Sequence, residues 1–183
     1  MSRRHFLLRA TQAVAAAGLP AWSHSVLAAE EALSAKHVTL GCSIALTGPL
    51  GIAGSEQVAG MKAAFAEVNA AGGVHGREIR LEVKDDAYVA SRTAQNVTGM
   101  LEAQSIFALI SPLGTANTAA ILPMVESKGI PTVGPVTGAT SLRSAEQRNV
   151  FFLRPSYREE SLRLVKQVVE MGLKRIAVVY LDN

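Results

Sequence analysis

The chain has 183 residues, 49% of them hydrophobic and 18% charged, with a formal net charge of +3. Arg3, Arg4 and Arg9 supply the excess and no acid precedes residue 29, so beyond residue 28 the charges balance; no electrostatic reason remains to expect nucleic acid or an anionic membrane as partner. Cys42 is the only cysteine, which excludes an internal disulfide, and no His/Cys/Asp/Glu cluster has metal-ligand spacing.

Residues 1–28 read as an export leader. Ser2-Arg3-Arg4-His5-Phe6-Leu7-Leu8 gives a basic start, an Ala-rich apolar stretch follows, and Val26-Leu27-Ala28 offers small residues for cleavage, with Leu27-Ala28-Ala29 the near alternative. Arg3-Arg4 with Phe6 and Leu7 matches a bacterial twin-arginine address. That implies the twin-arginine export machinery as a partner and the periplasm as destination. A retained anchor fits less well, because Gly18, Pro20 and Ser23 interrupt a stretch that needs ~20 predominantly apolar residues to span.

The rest is long enough for one domain and alternates strand and helix. Residues 37–46 are a β-rich run ending at Thr47-Gly48-Pro49, in which Cys42 reads as a buried, inert thiol. Val58, Met61, Phe65 and Val68 recur at helical steps over residues 55–71, with Ser55 as N-cap and Gly72-Gly73 as stop. Ile79, Leu81 and Val83 alternate with polar residues in a half-buried strand that ends at Asp85-Asp86. Residues 92–103 are a helix with Ser91 as cap, and 106–110 a strand buried on both faces. Residues 116–128 are a helix capped by Thr115 and kinked at Pro123. Residues 130–134 are a strand, 139–145 a short turn or helix, and 150–153 a strand. Ser156-Tyr157-Arg158-Glu159 fits a capping box that opens a helix with Leu162, Val165 and Val169 on its apolar face. Gly172 ends it, and residues 175–181 are a last strand. This order implies an α/β fold, a doubly wound parallel sheet with helices on both faces over residues 37–155. A further unit begins at residue 156. Its strand either joins the first sheet's edge or belongs to a lobe of which 156–183 is only the start; the second reading is the stronger.

Ligands of open parallel sheets bind beyond the carboxyl ends of strands, near the switch in strand order. Residues 47–55, 112–115 and 136–141 lie there, are rich in Gly, Thr or Ser, and lead into helices whose free N–H groups suit a small carboxylate. Thr115 and Ser55 serve equally well as plain helix caps. The run from Thr47 to Gly54 lacks the spacing of a nucleotide loop, and Gly51 and Gly54 read as aids to backbone turning. Asp85-Asp86 read as turn and cap residues, and His37 and His75 as solvated. Ser43 and Ser111 have no positioned base, so no catalytic residue and no cofactor are expected.

Several segments together resemble the periplasmic substrate-binding proteins of branched-chain amino-acid type ABC transporters, with the type I periplasmic-binding fold. They are Ile44-Ala45-Leu46-Thr47-Gly48-Pro49-Leu50, Ala70-Ala71-Gly72-Gly73-Val74-His75-Gly76-Arg77, Lys84-Asp85-Asp86, Ser111-Pro112-Leu113-Gly114-Thr115, Gly129-Ile130-Pro131, Gly134-Pro135-Val136-Thr137-Gly138-Ala139 and Phe151-Phe152-Leu153-Arg154-Pro155. The resemblance implies an N-terminal ligand-binding lobe at 37–155, the beginning of a second lobe at 156–183, and closure of both on a ligand. It further implies that Thr115, with Leu113 and Gly114 beside it, holds a ligand carboxylate. Val136, Thr137 and Gly138 would lie near the ligand ammonium, and Tyr157 would face the cleft. Amino-acid binders often carry Ala-Ala-Thr where this chain has Val136-Thr137-Gly138. The implied role is capture of a small amino acid or related carboxylate and delivery to a membrane ABC permease, without chemistry. A periplasmic sensing subunit of the same fold, and an exported α/β enzyme, are the alternatives.

Overall fold

The computed structural model describes residues 33–34, 36–145 and 147–179, so the leader and its cleavage site lie outside the described residues. The elements run β1 (His37–Ile44), α1 (Gly51–Ala70), β2 (Glu78–Asp85), α2 (Ala90–Glu102), β3 (Ala108–Ile110), α3 (Thr115–Lys128), β4 (Thr132–Val133), a 3-10 turn (Thr140–Leu142), β5 (Val150–Phe151) and α4 (Tyr157–Glu170). The five strands form one sheet in the order β2-β1-β3-β4-β5. Every neighbouring pair is parallel, from His37 opposite Glu78 to Val133 opposite Phe151.

The sheet is covered on both sides. Successive strand residues point to opposite faces, and Leu109 and Ile110 show the consequence. Leu109 joins Val97, Met100, Leu101, Ile106, Ile121, Val125 and Val150 under α2 and α3. Ile110 packs with Cys42, Ile44 and Val58 on the face that α1 covers. Gly41 makes room on the α2 side, since a Cβ there would lie 2.8 Å from Ile106 and 2.9 Å from Met100. Ile106 therefore serves as packing beneath β1, and β3 is shorter than the expected 106–110.

Helix starts depart most from expectation. α1 begins at Gly51 with Leu50 as N-cap and no side-chain cap, so Ser55 is inside the helix. A Cβ at Gly54 would overlap the Ala45 carbonyl, and one at Gly51 would lie 2.8 Å from the Leu46 carbonyl oxygen. These glycines let the first turn of α1 sit against the end of β1; the backbone turn itself uses Gly48, at φ 75°. α2 starts after Val89, so Ser91 is not its cap either. Pro123 lies inside α3 without ending it.

Ser156 does cap α4. Its hydroxyl accepts from Glu159 N–H while the Glu159 carboxylate accepts from Ser156 N–H at 2.8 Å. No residue of α4 is buried, and Leu162, Val165 and Val169 are exposed. The expected strand at 175–181 is not formed over its described part, where no strand offers a partner, and it does not extend the sheet. Among the described residues no helix is long and apolar enough to cross a membrane.

Candidate functional site

From β1 the chain steps outward to β2, then crosses back to place β3 on the other flank of β1 and continues to β4 and β5. The switch point therefore lies between the carboxyl ends of β1 and β3, where crossovers leaving in opposite directions open a crevice.

The loops after β3 and β4 are zipped together on the β4 side of this point. Leu113 and Val136 form a parallel bridge. Val136 N–H donates to Pro112 at 2.9 Å, and Gly114 N–H donates to Val136 at 3.3 Å. This brings the Thr115 and Thr137 hydroxyls to 2.7 Å from each other. Thr115 is thus the first residue of α3 and not its cap; the N-cap is Gly114, at φ 102°. No side-chain cap covers this end, and the N–H groups of Thr115, Ala116 and Asn117 meet no acceptor among the described residues. They are orphan donors of a helix start, which favours an anion.

Tyr157 joins the same patch. Its N–H donates to Gly138 at 2.7 Å, and its ring fills the space that a side chain at position 138 would need. Burial alone would raise the Tyr157 phenol pKa. The Gly138 backbone and the Thr137 and Thr115 hydroxyls, with the charge of Arg154, turn the net shift downward. Leu113, Gly114, Thr115, Val136, Thr137, Gly138 and Tyr157 are therefore neighbours, of which Gly114, Thr137 and Gly138 are buried. Its carbonyls are already engaged: Val136 accepts from Gly114, Gly138 from Tyr157, and Thr137 from Arg143 at 3.4 Å. Donors to an anion are in better supply here than acceptors for a cation.

The loop after β1 is fixed separately. Asp85 accepts from the backbone of Leu46 and Thr47 and, at 2.6 Å, from the Thr47 hydroxyl, and it also accepts from Ala87 N–H. Those bonds hold its carboxyl down at about 2. Asp86 points the other way, fully buried, and accepts from Ser43, Thr93 and the Tyr88 N–H. The two carboxylates act on different elements and each closes a turn, Asp85 on Ala87 N–H and Asp86 on Tyr88 N–H, but neither caps a helix. Leu46, Thr47, Gly48 and Ser55 line a shallow hollow of about 390 Å³, but the hydroxyls and free N–H groups converge at Thr115.

Sequence reasoning missed two residues that shape this edge. Arg143 donates to the carbonyls of Arg154 and Pro155 at 2.9 and 3.2 Å and lies 4.2 Å over the Phe152 ring, tying the β5–α4 segment to the patch. Its neighbours in sequence carry no signal for this. Tyr88 lies against Gly114; an aromatic residue just after Asp85-Asp86, at the end of a strand, was the available clue.

Known proteins agree with this architecture. The model of the periplasmic binding protein family matches residues 37–183. A Leu/Ile/Val-binding protein homolog from Brucella abortus is 27% identical over 161 residues, covering 87% of this chain and 39% of that protein. A possible leucine/isoleucine/valine-binding protein from Rhodopirellula baltica superposes with a TM-score of 0.69 at 31% identity, over 75% of this chain and 37% of the other. A branched-chain amino acid transporter substrate-binding protein from Streptococcus pneumoniae, solved with isoleucine, gives 0.62 at 25% identity, over 66% of this chain and 34% of the other. The chain thus spans about two fifths of the length of the curated relative. By its fold, its crossing pattern and the match over residues 37–183, the chain belongs to the periplasmic binding protein family.

Proposed function

We propose that this chain is part of an extracytoplasmic solute-binding protein that captures a small amino acid or related carboxylate and delivers it to an ABC permease. Residues 1–28 act as its twin-arginine-type signal, residues 37–155 form the N-terminal ligand-binding lobe, and residues 156–183 begin a second lobe. The observation that carries the reading is the convergence of Thr115, Thr137 and Tyr157 beside the unpaired N–H groups that open α3. A carboxylate placed there gains charge-assisted hydrogen bonds from donors that are already oriented. The names of the relatives, and the isoleucine bound to the streptococcal protein, support a ligand of amino-acid size. Nothing in this mechanism breaks a covalent bond: ligand contacts favour a closed state over an open one.

The test is thermal-shift and calorimetric titration of the native protein, isolated from its host, with L-leucine, L-isoleucine, L-valine and phenylacetate. At least one probe should raise the melting temperature, and Thr115→Val should weaken its binding by about 1–3 kcal/mol, the cost of a lost hydrogen bond to a buried or charged partner. No shift with any probe, or equal affinity in the variant, would contradict the reading.

A further inference from the structure

Ala87 and Tyr88 are consecutive non-glycine residues at positive φ, 51° and 63°, a region that side chains with a Cβ seldom enter. Two carboxylates impose it. Asp85 Oδ1 accepts Ala87 N–H, and Asp86 Oδ1 accepts Tyr88 N–H, each at 2.9 Å. Asp86 is itself fixed by the Ser43 and Thr93 hydroxyls at 3.0 and 2.9 Å. Asn117, in the first turn of α3, donates to Thr93 Oγ1 at 2.8 Å. One buried polar network thus sets both the Tyr88 turn and the start of α3.

The result is a second tyrosine at the same edge. A Cβ on Gly114 would lie 2.9 Å from Tyr88 Oη and 3.0 Å from Tyr88 Cζ, so the ring occupies the place a side chain at 114 would take. Tyr157 reaches this edge from the β4 side; Tyr88 reaches it from the β2 side. Tyr157 has Thr137, Thr115 and the Gly138 backbone beside its phenol. Tyr88 Oη makes no hydrogen bond among the described residues, and only the Tyr88 backbone N–H is engaged, by Asp86. A half-buried phenol in a costly backbone conformation, with its ring packed and its hydroxyl unspent, fits a group reserved for a ligand.

We propose that Tyr88 is a further ligand-contacting residue, its ring walling the cleft beside Gly114 and its phenol donating a hydrogen bond to the bound carboxylate. The proposal rests on the carboxylate-binding reading above. Tyr88→Phe keeps the ring and removes only the hydroxyl, so it separates ligand contact from packing. The experiment is calorimetric titration of the native protein and of its Tyr88→Phe, Tyr88→Ala and Thr115→Val variants with L-leucine, L-isoleucine, L-valine and phenylacetate. Tyr88→Phe should lose about tenfold in affinity, the equivalent of one hydrogen bond to a charged group, with an unchanged ligand-free melting temperature. Tyr88→Ala should lose more. If Thr115→Val weakens binding and Tyr88→Phe does not, Tyr88 makes no polar contact and the proposal falls while the site stands. If the unaltered protein binds none of the probes, the carboxylate reading falls and this proposal with it.

Discussion

Asp85 shows how much a single exposed carboxylate can organise. It gathers four hydrogen bonds from the β1–α1 loop and its own turn, and its pKa falls from 3.8 to about 2 as a result. A carboxylate with a depressed folded-state pKa takes up its proton in the unfolded chain first. Its stabilising effect is therefore complete above about pH 4 and is lost as pH falls through about 2. Urea midpoints measured across that window should drop in the wild-type protein and drop less steeply in Asp85→Asn; identical acid limbs would show that these bonds do not persist in solution. Cys42 is the opposite case. Burial, reinforced by the charge of Asp86, pushes its thiol up to about 12, so almost no thiolate forms and no reagent reaches it. A thiol-reactive dye at pH 8 should leave the native protein unlabelled and label the unfolded chain once; native labelling would refute the packing of β1. The inert thiol was legible from its place in an apolar run. Asp85 was legible only as a turn residue, because its loop partners Leu46 and Thr47 lie 39 and 38 positions away in sequence.

At the level of elements, periodicity located the helices, and tertiary contact decided where they start. Ser156-Glu159 met the capping expectation because that helix start is set by local hydrogen bonds. Ser55, Ser91 and Thr115 did not become caps. In α1 the sheet itself decides, since Gly51 and Gly54 admit the helix to the end of β1 before Ser55 is reached. In α3 the Thr115 hydroxyl is turned toward Thr137. Local propensity sees neither event, because both depend on strands that are distant in sequence. Gly54 and Gly60 of α1 give a paired prediction. Gly54→Ala forces a methyl group into the Ala45 carbonyl and should destabilise by about 2 kcal/mol or more. Gly60→Ala, where nothing lies within 4 Å, should stabilise by about 0.5–1 kcal/mol through helix propensity and reduced unfolded-state entropy. Thermal denaturation of both variants checks it, and a harmless Gly54→Ala would mean that α1 does not press on β1.

Across the whole molecule, the strand–helix alternation made the parallel sheet legible, and the resemblance to binding proteins indicated which edge to inspect. The seven residues expected at the site do lie together, because parallel strands carry all their carboxyl ends to one side and the loops after β3 and β4 are bridged there. The sequence marks Tyr88 only as an aromatic residue two places after Asp86; its positive φ depends on the Asp86 carboxylate that accepts its N–H. In the last part of the chain α4 forms where its capping box put it and buries nothing, whereas the strand expected at 175–181 is not formed at 175–179, since a strand forms only where a neighbour satisfies its backbone. The chain spans about two fifths of the length of the curated relative. The most direct measurement is a crystal structure of the native protein with the tightest-binding of L-leucine, L-isoleucine, L-valine and phenylacetate. The account predicts the probe's carboxylate within hydrogen-bond distance of the Thr115 hydroxyl and of the N–H groups that open α3. A carboxylate seated elsewhere, for instance in the hollow lined by Thr47 and Ser55, would contradict it.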